Sequence, residues 1–125
     1  MTENELSRVI VDAAFKIHTT LGPGLYESVY EVTMAYELRR RGCKIIRQRG
    51  IAVLYEEVKL DLGFRADIIV SQKVIIEVKS IEAIAPVHAK QLRTYLRLMD
   101  LRLGLLINFN VDLIKDGIRR VVNNL

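Results

Sequence analysis

Three charged residues, Asp67, Glu77 and Lys79, lie in two apolar segments where a buried β-strand would normally carry no charge. The segments are 63–70 (GFRADIIV) and 74–79 (VIIEVK), and both contain the β-branched residues that favour strands. An ionised group in such a strand is costly unless a metal or an opposite charge meets it. Two acids and a lysine on neighbouring strands are what a cation-dependent phosphodiesterase needs.

The spacing of these residues predicts that the two acids meet. Side chains alternate between the faces of a strand, so an antiparallel hairpin with the loop Ser71–Lys73 would set Asp67 directly opposite Glu77. A loop shorter by one residue would place the acids on opposite faces. Opposed Cβ atoms are roughly 4.5–5.5 Å apart, and carboxylates at that separation repel unless a cation lies between them. Lys79 would point the same way and could orient water or stabilise charge on a phosphate.

Mg²⁺ is the expected cation, because it is hard and is usually held by one or two carboxylates together with substrate phosphate and water. Mn²⁺ could substitute for it. The sequence has no zinc pattern, since His18 and His88 are isolated and Cys43 is the only cysteine.

A structural interpretation competes with the metal site. Glu77 could form a salt bridge with Lys79, or Asp67 with Arg65, and an acid two residues before a lysine is a common pattern on solvated strands. If the metal interpretation holds, an Asp67→Ala variant should lose activity and keep its fold, with greater stability if carboxylate repulsion is relieved. Clear unfolding of that variant would favour the salt bridge.

Further polar residues follow Pro86, which favours a first helical turn. His88, Gln91 and Tyr95 are three and four residues apart and therefore line one stripe of a helix. Gln91 could hydrogen-bond water or phosphate, and Tyr95 could add a hydroxyl or a stacking surface. Each also fits a structural role, Gln91 as a partly exposed residue, Tyr95 as a core aromatic and His88 as a surface residue at the start of the helix.

The elements that position these residues alternate in a pattern typical of a mixed sheet covered by helices. The predicted helices are Glu3–Thr19, Tyr26–Arg41 and Pro86–Met99. The predicted strands are Lys44–Gln48, Ile51–Tyr55, Val58–Leu62, Phe64–Val70, Val74–Lys79, Leu101–Asn108 and Ile118–Asn123. Apolar residues recur all along the second helix, which predicts that this helix is broadly buried. Glu27 near its start is favoured by the helix dipole, or else supplies a third carboxylate to the metal.

Size and composition indicate a single domain, residues 1–125, with ordinary globular character. One cysteine excludes an internal disulfide, and no apolar run approaches the ~18–20 residues of a membrane span. The acidic N-terminus lacks the features of a signal peptide. We therefore expect a cytoplasmic protein without a membrane partner.

The charge distribution favours a polyanionic partner. The net charge is +4, and six basic residues without an acid lie between positions 39 and 49. We expect a set of arginines to contact a nucleic-acid backbone: Arg39, Arg40, Arg41, Arg65 and Arg93. The alternative is that these groups are solvated helix ends and loops.

Three motifs together resemble known nucleases. Ala66–Asp67 with Glu77–Lys79 resembles the D…ExK core of the PD-(D/E)XK nuclease superfamily, with alanine in place of the proline. Gln91–Tyr95 is similar to the QxxxY motif of the RecB-like branch. Gly24–Tyr30 resembles the signature of the GxxExxY (or GxxExxR) family, a bacterial and archaeal group within that superfamily. The resemblance extends from the first helix to about Asn108.

This resemblance implies an α/β fold with a restriction-endonuclease-like αβββαβ core, a mixed β-sheet flanked by helices and a site on one side of the sheet. It implies roles for six residues: Asp67, Glu77 and Glu27 as metal ligands, Lys79 as the catalytic lysine, and Gln91 and Tyr95 as the helix motif. The expected function is a Mg²⁺-dependent nuclease acting on nucleic acid, DNA ahead of RNA.

Two other functions stay open. A non-catalytic nucleic-acid-binding or assembly domain could retain the same fold, and a toxin- or defence-associated role would follow from family type alone. The small size of the chain favours a homodimer or a subunit of a larger complex.

Overall fold

Three helices flank the strands in the computed structural model, which describes all of residues 1–125. Helices α1 (Glu3–Leu21) and α2 (Glu27–Arg40) open the chain, and α3 (Pro86–Met99) lies between the fifth and sixth strands. The hydroxyl of Thr2 accepts the backbone N–H of Glu5 at 3.2 Å, which satisfies one of the open donors at the start of α1. All three predicted helices are confirmed to within two residues at each end.

The strands form two separate sheets. They are β1 (Ile45–Gly50), β2 (Val53–Tyr55), β3 (Val58–Leu60), β4 (Arg65–Val70), β5 (Val74–Lys79), β6 (Leu103–Asn108) and β7 (Ile118–Val122). The main sheet has the order β1-β4-β5-β6-β7. Only β5 and β6 run parallel, and α3 provides the crossover that a parallel pair requires. This mixed α/β sheet with flanking helices is the restriction-endonuclease-like fold that was expected.

Each face of the main sheet has its own apolar core. Helices α1 and α2 cover one face, where Tyr30 stacks on Phe109 with ring centroids 4.4 Å apart. Helix α3 covers the other face and packs closely on β6, since a Cβ at Gly104 would lie 2.8 Å from the side chain of Leu92. The main sheet is therefore covered on both faces, and β4 and β5 lie in its interior.

Two expectations about packing were wrong. The segments Ile51–Tyr55 and Val58–Leu62 do not join the main sheet, because β2 and β3 pair only with each other and project as a hairpin. Helix α2 is buried along one face only, and its opposite face exposes Val29, Val32 and Tyr36. No helix is long and apolar enough to cross a membrane.

Candidate active site

The turn between β4 and β5 determines which side chains meet. Ser71 and Gln72 both have positive φ (51° and 57°), and the N–H of Lys73 donates to the carbonyl of Val70 at 3.0 Å. Two successive residues with positive φ match the right-handed twist of a hairpin. The predicted loop of 71–73 is therefore confirmed, and the ladder has the register that was expected from it.

Asp67 and Glu77 lie at the point where β4 and β5 stop pairing. The last paired residues are Ile68 and Ile76, and the same register sets Asp67 opposite Glu77. Beyond that pair, Oδ2 of Asp67 accepts the backbone N–H of Val78 at 2.9 Å. The carboxylate thus takes the place of a strand carbonyl, which anchors Asp67 at the opening between the two strands.

Glu77 is buried beside Asp67, and one of its two carboxyl oxygens has no hydrogen-bond partner. Its side chain is 6 % exposed, and Oε1 has no hydrogen-bond partner. Burial, and next the negative charge of Asp67, raises the pKa of Glu77 to about 9, while Lys79 opposes the shift. A buried oxygen without a partner is costly, so this carboxyl is poised to gain stability from a cation.

The salt-bridge interpretation finds no support in the geometry. The four ion pairs of the molecule join other residues, and none involves Asp67, Glu77, Lys79 or Arg65. Lys79 is half-buried at the end of β5, where its charge acts on Glu77 without closing a direct pair. The acids and the lysine of the predicted motif are therefore together and not neutralised by one another.

The segment after Lys79 is held by Asn108 at the end of the neighbouring strand. The side-chain amide of Asn108 donates to the carbonyl of Ile81 at 2.9 Å, and its oxygen accepts the N–H of Ile81 at 3.1 Å. Asn108 is 2 % exposed. Its two bonds fix the chain as it leaves the site, a role that the sequence did not indicate because a lone asparagine at the end of a strand carries no signal.

Glu27 reaches the same segment from α2 but does not join the two strand acids. Its Oε2 accepts the N–H of Ser80 at 3.3 Å, and the hydroxyl of Ser80 donates to the carbonyl of Leu25 at 2.6 Å. No three histidine, cysteine, aspartate or glutamate side chains gather closely enough to hold a metal alone. The expected third carboxylate therefore holds the segment after β5, next to the Asp67–Glu77 pair.

Gln91 and Tyr95 lie about one turn apart on α3. Tyr95 is buried, and burial first, then the negative charges of Glu77 and Asp67, raise the pKa of its hydroxyl. Gln91 is exposed and makes no internal hydrogen bond. His88 closes the start of α3 by accepting the N–H of Ala85 on Nδ1 at 2.9 Å, which confirms its structural role.

Two residues that sequence reasoning missed support Asp67 from the other side. Glu31, buried on α2, accepts two hydrogen bonds from Arg47 (3.0 and 2.8 Å) and one from the amide of Gln48 at 2.8 Å. The same amide lies 3.4 Å from Oδ1 of Asp67. Gln48 has a φ of 53°, and the β1–β4 ladder skips its pairing with Asp67. Strained backbone of this kind clusters at functional sites.

Replacing Glu31 by alanine tests this support. The change removes the partner of Arg47 and Gln48, so we expect the free energy of unfolding to fall by about 2 kcal/mol. If Asp67 is a metal ligand, as the sequence predicts, cleavage of a phosphodiester substrate should also fall by about tenfold or more, the usual effect of removing an outer partner of a metal ligand. Urea unfolding and a cleavage assay measure both, with exposed Glu57→Ala as the control. Unchanged activity in Glu31→Ala would exclude a positioning role.

The arginines expected to contact nucleic acid have different environments. Arg41 bonds to Glu37 at 3.2 Å and also pairs with Asp12, so it has an internal role. The bond to Asp12 raises the pKa of the Arg41 guanidinium, and burial opposes this shift with a smaller effect. The remaining four are exposed: Arg39, Arg40, Arg65 and Arg93.

A family model for the PD-(D/E)XK nuclease superfamily matches residues 4–121, nearly the whole chain. The chain belongs to the PD-(D/E)XK nuclease superfamily. No curated protein and no solved structure matches it at a significant level.

The residues Asp67, Glu77 and Lys79 all lie within the region that matches the PD-(D/E)XK superfamily. Proteins of this superfamily are typically nucleases, so the class of substrate is nucleic acid, and they generally use divalent metals such as Mg²⁺. The geometry fits such an ion, because Glu77 Oε1 is buried without a partner and Asp67 faces it across the strands. Proteins typically contribute one or two carboxylates to a Mg²⁺ site, and the remaining ligands are water or substrate phosphate.

Proposed function

We propose that this protein is a metal-dependent nuclease that hydrolyses phosphodiester bonds, with Asp67 and Glu77 as the ligands of Mg²⁺ or Mn²⁺. The observation that carries the proposal is the buried oxygen of Glu77, which has no hydrogen-bond partner although Asp67 faces it. A purely structural pair of this kind is destabilised by repulsion and desolvation. When bound, the cation would neutralise both carboxylates and polarise the scissile phosphate.

The remaining residues of the site have roles set by their positions. We assign Lys79 to stabilising negative charge that develops on the phosphate, because it is the last residue of β5 and is not engaged in an ion pair. Glu27 is assigned to holding Ser80, and with it the segment that follows Lys79. Tyr95 is assigned to the wall of the site next to both carboxylates.

The finer placement in the GxxExxY group is also a proposal, supported by what its signature residues do. The hydroxyl of Tyr30 donates to the carbonyl of Gly22 at 2.5 Å and accepts the N–H of Leu25 at 3.2 Å. Gly24 has a φ of 98°, which favours glycine. These contacts shape the turn from which Glu27 reaches the segment after β5, so the signature builds one wall of the site.

Replacing Lys79 by alanine tests the proposed chemistry. We expect cleavage of labelled single-stranded, duplex and branched DNA, and of RNA, in Mg²⁺ or Mn²⁺ to fall by about 10²–10³-fold, the usual cost of removing one charge-stabilising donor. The matched control is Lys115→Ala, an exposed lysine outside the site. Binding without cutting by the wild-type protein on every substrate and with either metal would instead identify a nucleic-acid-binding or assembly domain.

A further inference from the structure

A small cavity opens beside the Asp67–Glu77 pair, between α3 and the start of the β2–β3 hairpin. Its volume is about 170 Å³. Six residues line it: Val53, Phe64, Gln91, Thr94, Tyr95 and Leu98. One water occupies about 30 Å³ in the liquid, and pockets for drug-sized ligands have about 300–1,000 Å³. The cavity therefore has room for one ring system but not for a whole nucleotide.

The lining favours a flat, uncharged group with polar edges. None of the six residues is charged, so a phosphate would find no counter-charge there. Phe64 and Tyr95 present two aromatic rings, with centroids 6.3 Å apart and planes tilted by 57°. The amide of Gln91 makes no internal hydrogen bond, which leaves it able to pair with the edge of a ligand.

The location connects this cavity to the candidate active site. Tyr95 belongs to both, since it lines the cavity and is close enough to Glu77 and Asp67 for their negative charges to raise the pKa of its hydroxyl. Arg65 follows Phe64 directly in the chain and is exposed, so it provides charge for a phosphate backbone outside the cavity.

We propose that this cavity receives one unpaired nucleobase of the strand being cut, so that the substrate is single-stranded or locally unpaired nucleic acid. The proposal rests on the nuclease function proposed above and names its substrate class. A base in a duplex is stacked and paired, and extracting it costs a few kcal/mol. The protein should therefore prefer single strands to the same sequence in a blunt duplex.

The test compares two single-stranded probes of equal length and charge, an oligothymidylate and an oligomer whose residues are all abasic. Binding is measured by fluorescence anisotropy in EDTA, for wild-type protein and the Phe64→Ala variant. Phe64 is 43 % exposed, so its truncation should leave the fold intact. Loss of a base-stacking aromatic should weaken oligothymidylate binding by about tenfold and leave abasic binding unchanged. Phe64→Trp should restore the affinity, and Tyr36→Ala, an exposed aromatic on the opposite face, should change neither Kd.

Two results would overturn the proposal: equal weakening on both probes, or no weakening on either. A cleavage assay with the oligothymidylate in Mg²⁺ distinguishes failure of the base-pocket proposal from failure of the nuclease proposal. If the wild-type protein cuts and the Phe64→Ala variant binds both probes as the wild type does, the nuclease function is supported and the base pocket is excluded. If the wild-type protein shows base-dependent binding but cuts neither the oligothymidylate nor the DNA and RNA substrates named above, the pocket is supported and the nuclease is excluded.

Discussion

Replacing Asp67 by asparagine is expected to reduce metal-dependent cleavage by at least about a thousandfold while the chain stays folded. The amide removes the negative charge that faces Glu77 and so weakens binding of the divalent ion. Such an ion lowers the activation free energy by several kcal/mol, and each 1.36 kcal/mol lost slows the reaction about tenfold. The amide oxygen can still accept the N–H of Val78, the bond that Asp67 makes at 2.9 Å. Folding and chemistry are therefore separated by this substitution.

Asparagine is a better test here than alanine. Asp67→Ala would relieve carboxylate repulsion but leave the N–H of Val78 without its acceptor, which costs about 1–3 kcal/mol when the group is buried. The greater stability expected from the sequence for Asp67→Ala therefore does not follow from the structure. Circular dichroism and thermal unfolding should show a native Asp67→Asn, and Asp61→Asn, an exposed aspartate, should cut like the wild type. Full activity in Asp67→Asn would remove Asp67 from the metal site.

Local sequence signals were enough to predict the hairpin that joins the acids. Side chains alternate between the two faces along 65–70 and 74–79. Few ways of pairing these two strands therefore bury Ile68 and Ile76 on the same face. With a loop of 71–73, that constraint alone brings Asp67 to Glu77. Pro86 and the apolar spacing after it were likewise enough to predict α3 to the residue.

Other features depend on contacts between distant segments and could not be predicted. Glu31 is buried because Arg47 and Gln48 reach it from β1, and neither its helix nor its spacing reveals that partner. Helix α2 carries apolar residues on both faces, so periodicity could not tell that Val32 and Tyr36 stay exposed. The β2–β3 hairpin has strand-like sequence, but only the chain path around it decides that it leaves the main sheet.

Replacing Glu77 by glutamine should remove the loss of stability that rising pH causes in the metal-free protein. The pKa of Glu77 is raised from 4.5 to about 9 in the folded state, chiefly by burial. The folded protein therefore keeps a proton that the unfolded chain releases. The stabilisation from that proton is complete below pH 4.5 and is lost as the pH rises toward about 9, by up to about 1.4 kcal/mol per pH unit. Glutamine cannot ionise, so the Glu77→Gln variant should not lose this stability as the pH rises.

Urea unfolding in EDTA between pH 5 and 9 measures the difference. At pH 8 we expect Glu77→Gln to exceed the wild type in free energy of unfolding by at least about 2 kcal/mol, and the two to converge near pH 5. Glu82→Gln, which changes an exposed glutamate, should follow the wild-type curve. Parallel curves for wild type and Glu77→Gln would mean that Glu77 does not hold its proton.

Added Mg²⁺ should invert the order of stability at pH 8. A cation that binds only the folded state stabilises it by RT ln(1 + [L]/Kd), and it favours the ionised carboxylate that burial opposes. The wild type should gain stability with increasing Mg²⁺, whereas Glu77→Gln should gain little and lose its cleavage activity. If both proteins respond equally to Mg²⁺, the ion binds elsewhere. If only the wild type responds, the ion binds at the carboxyl of Glu77.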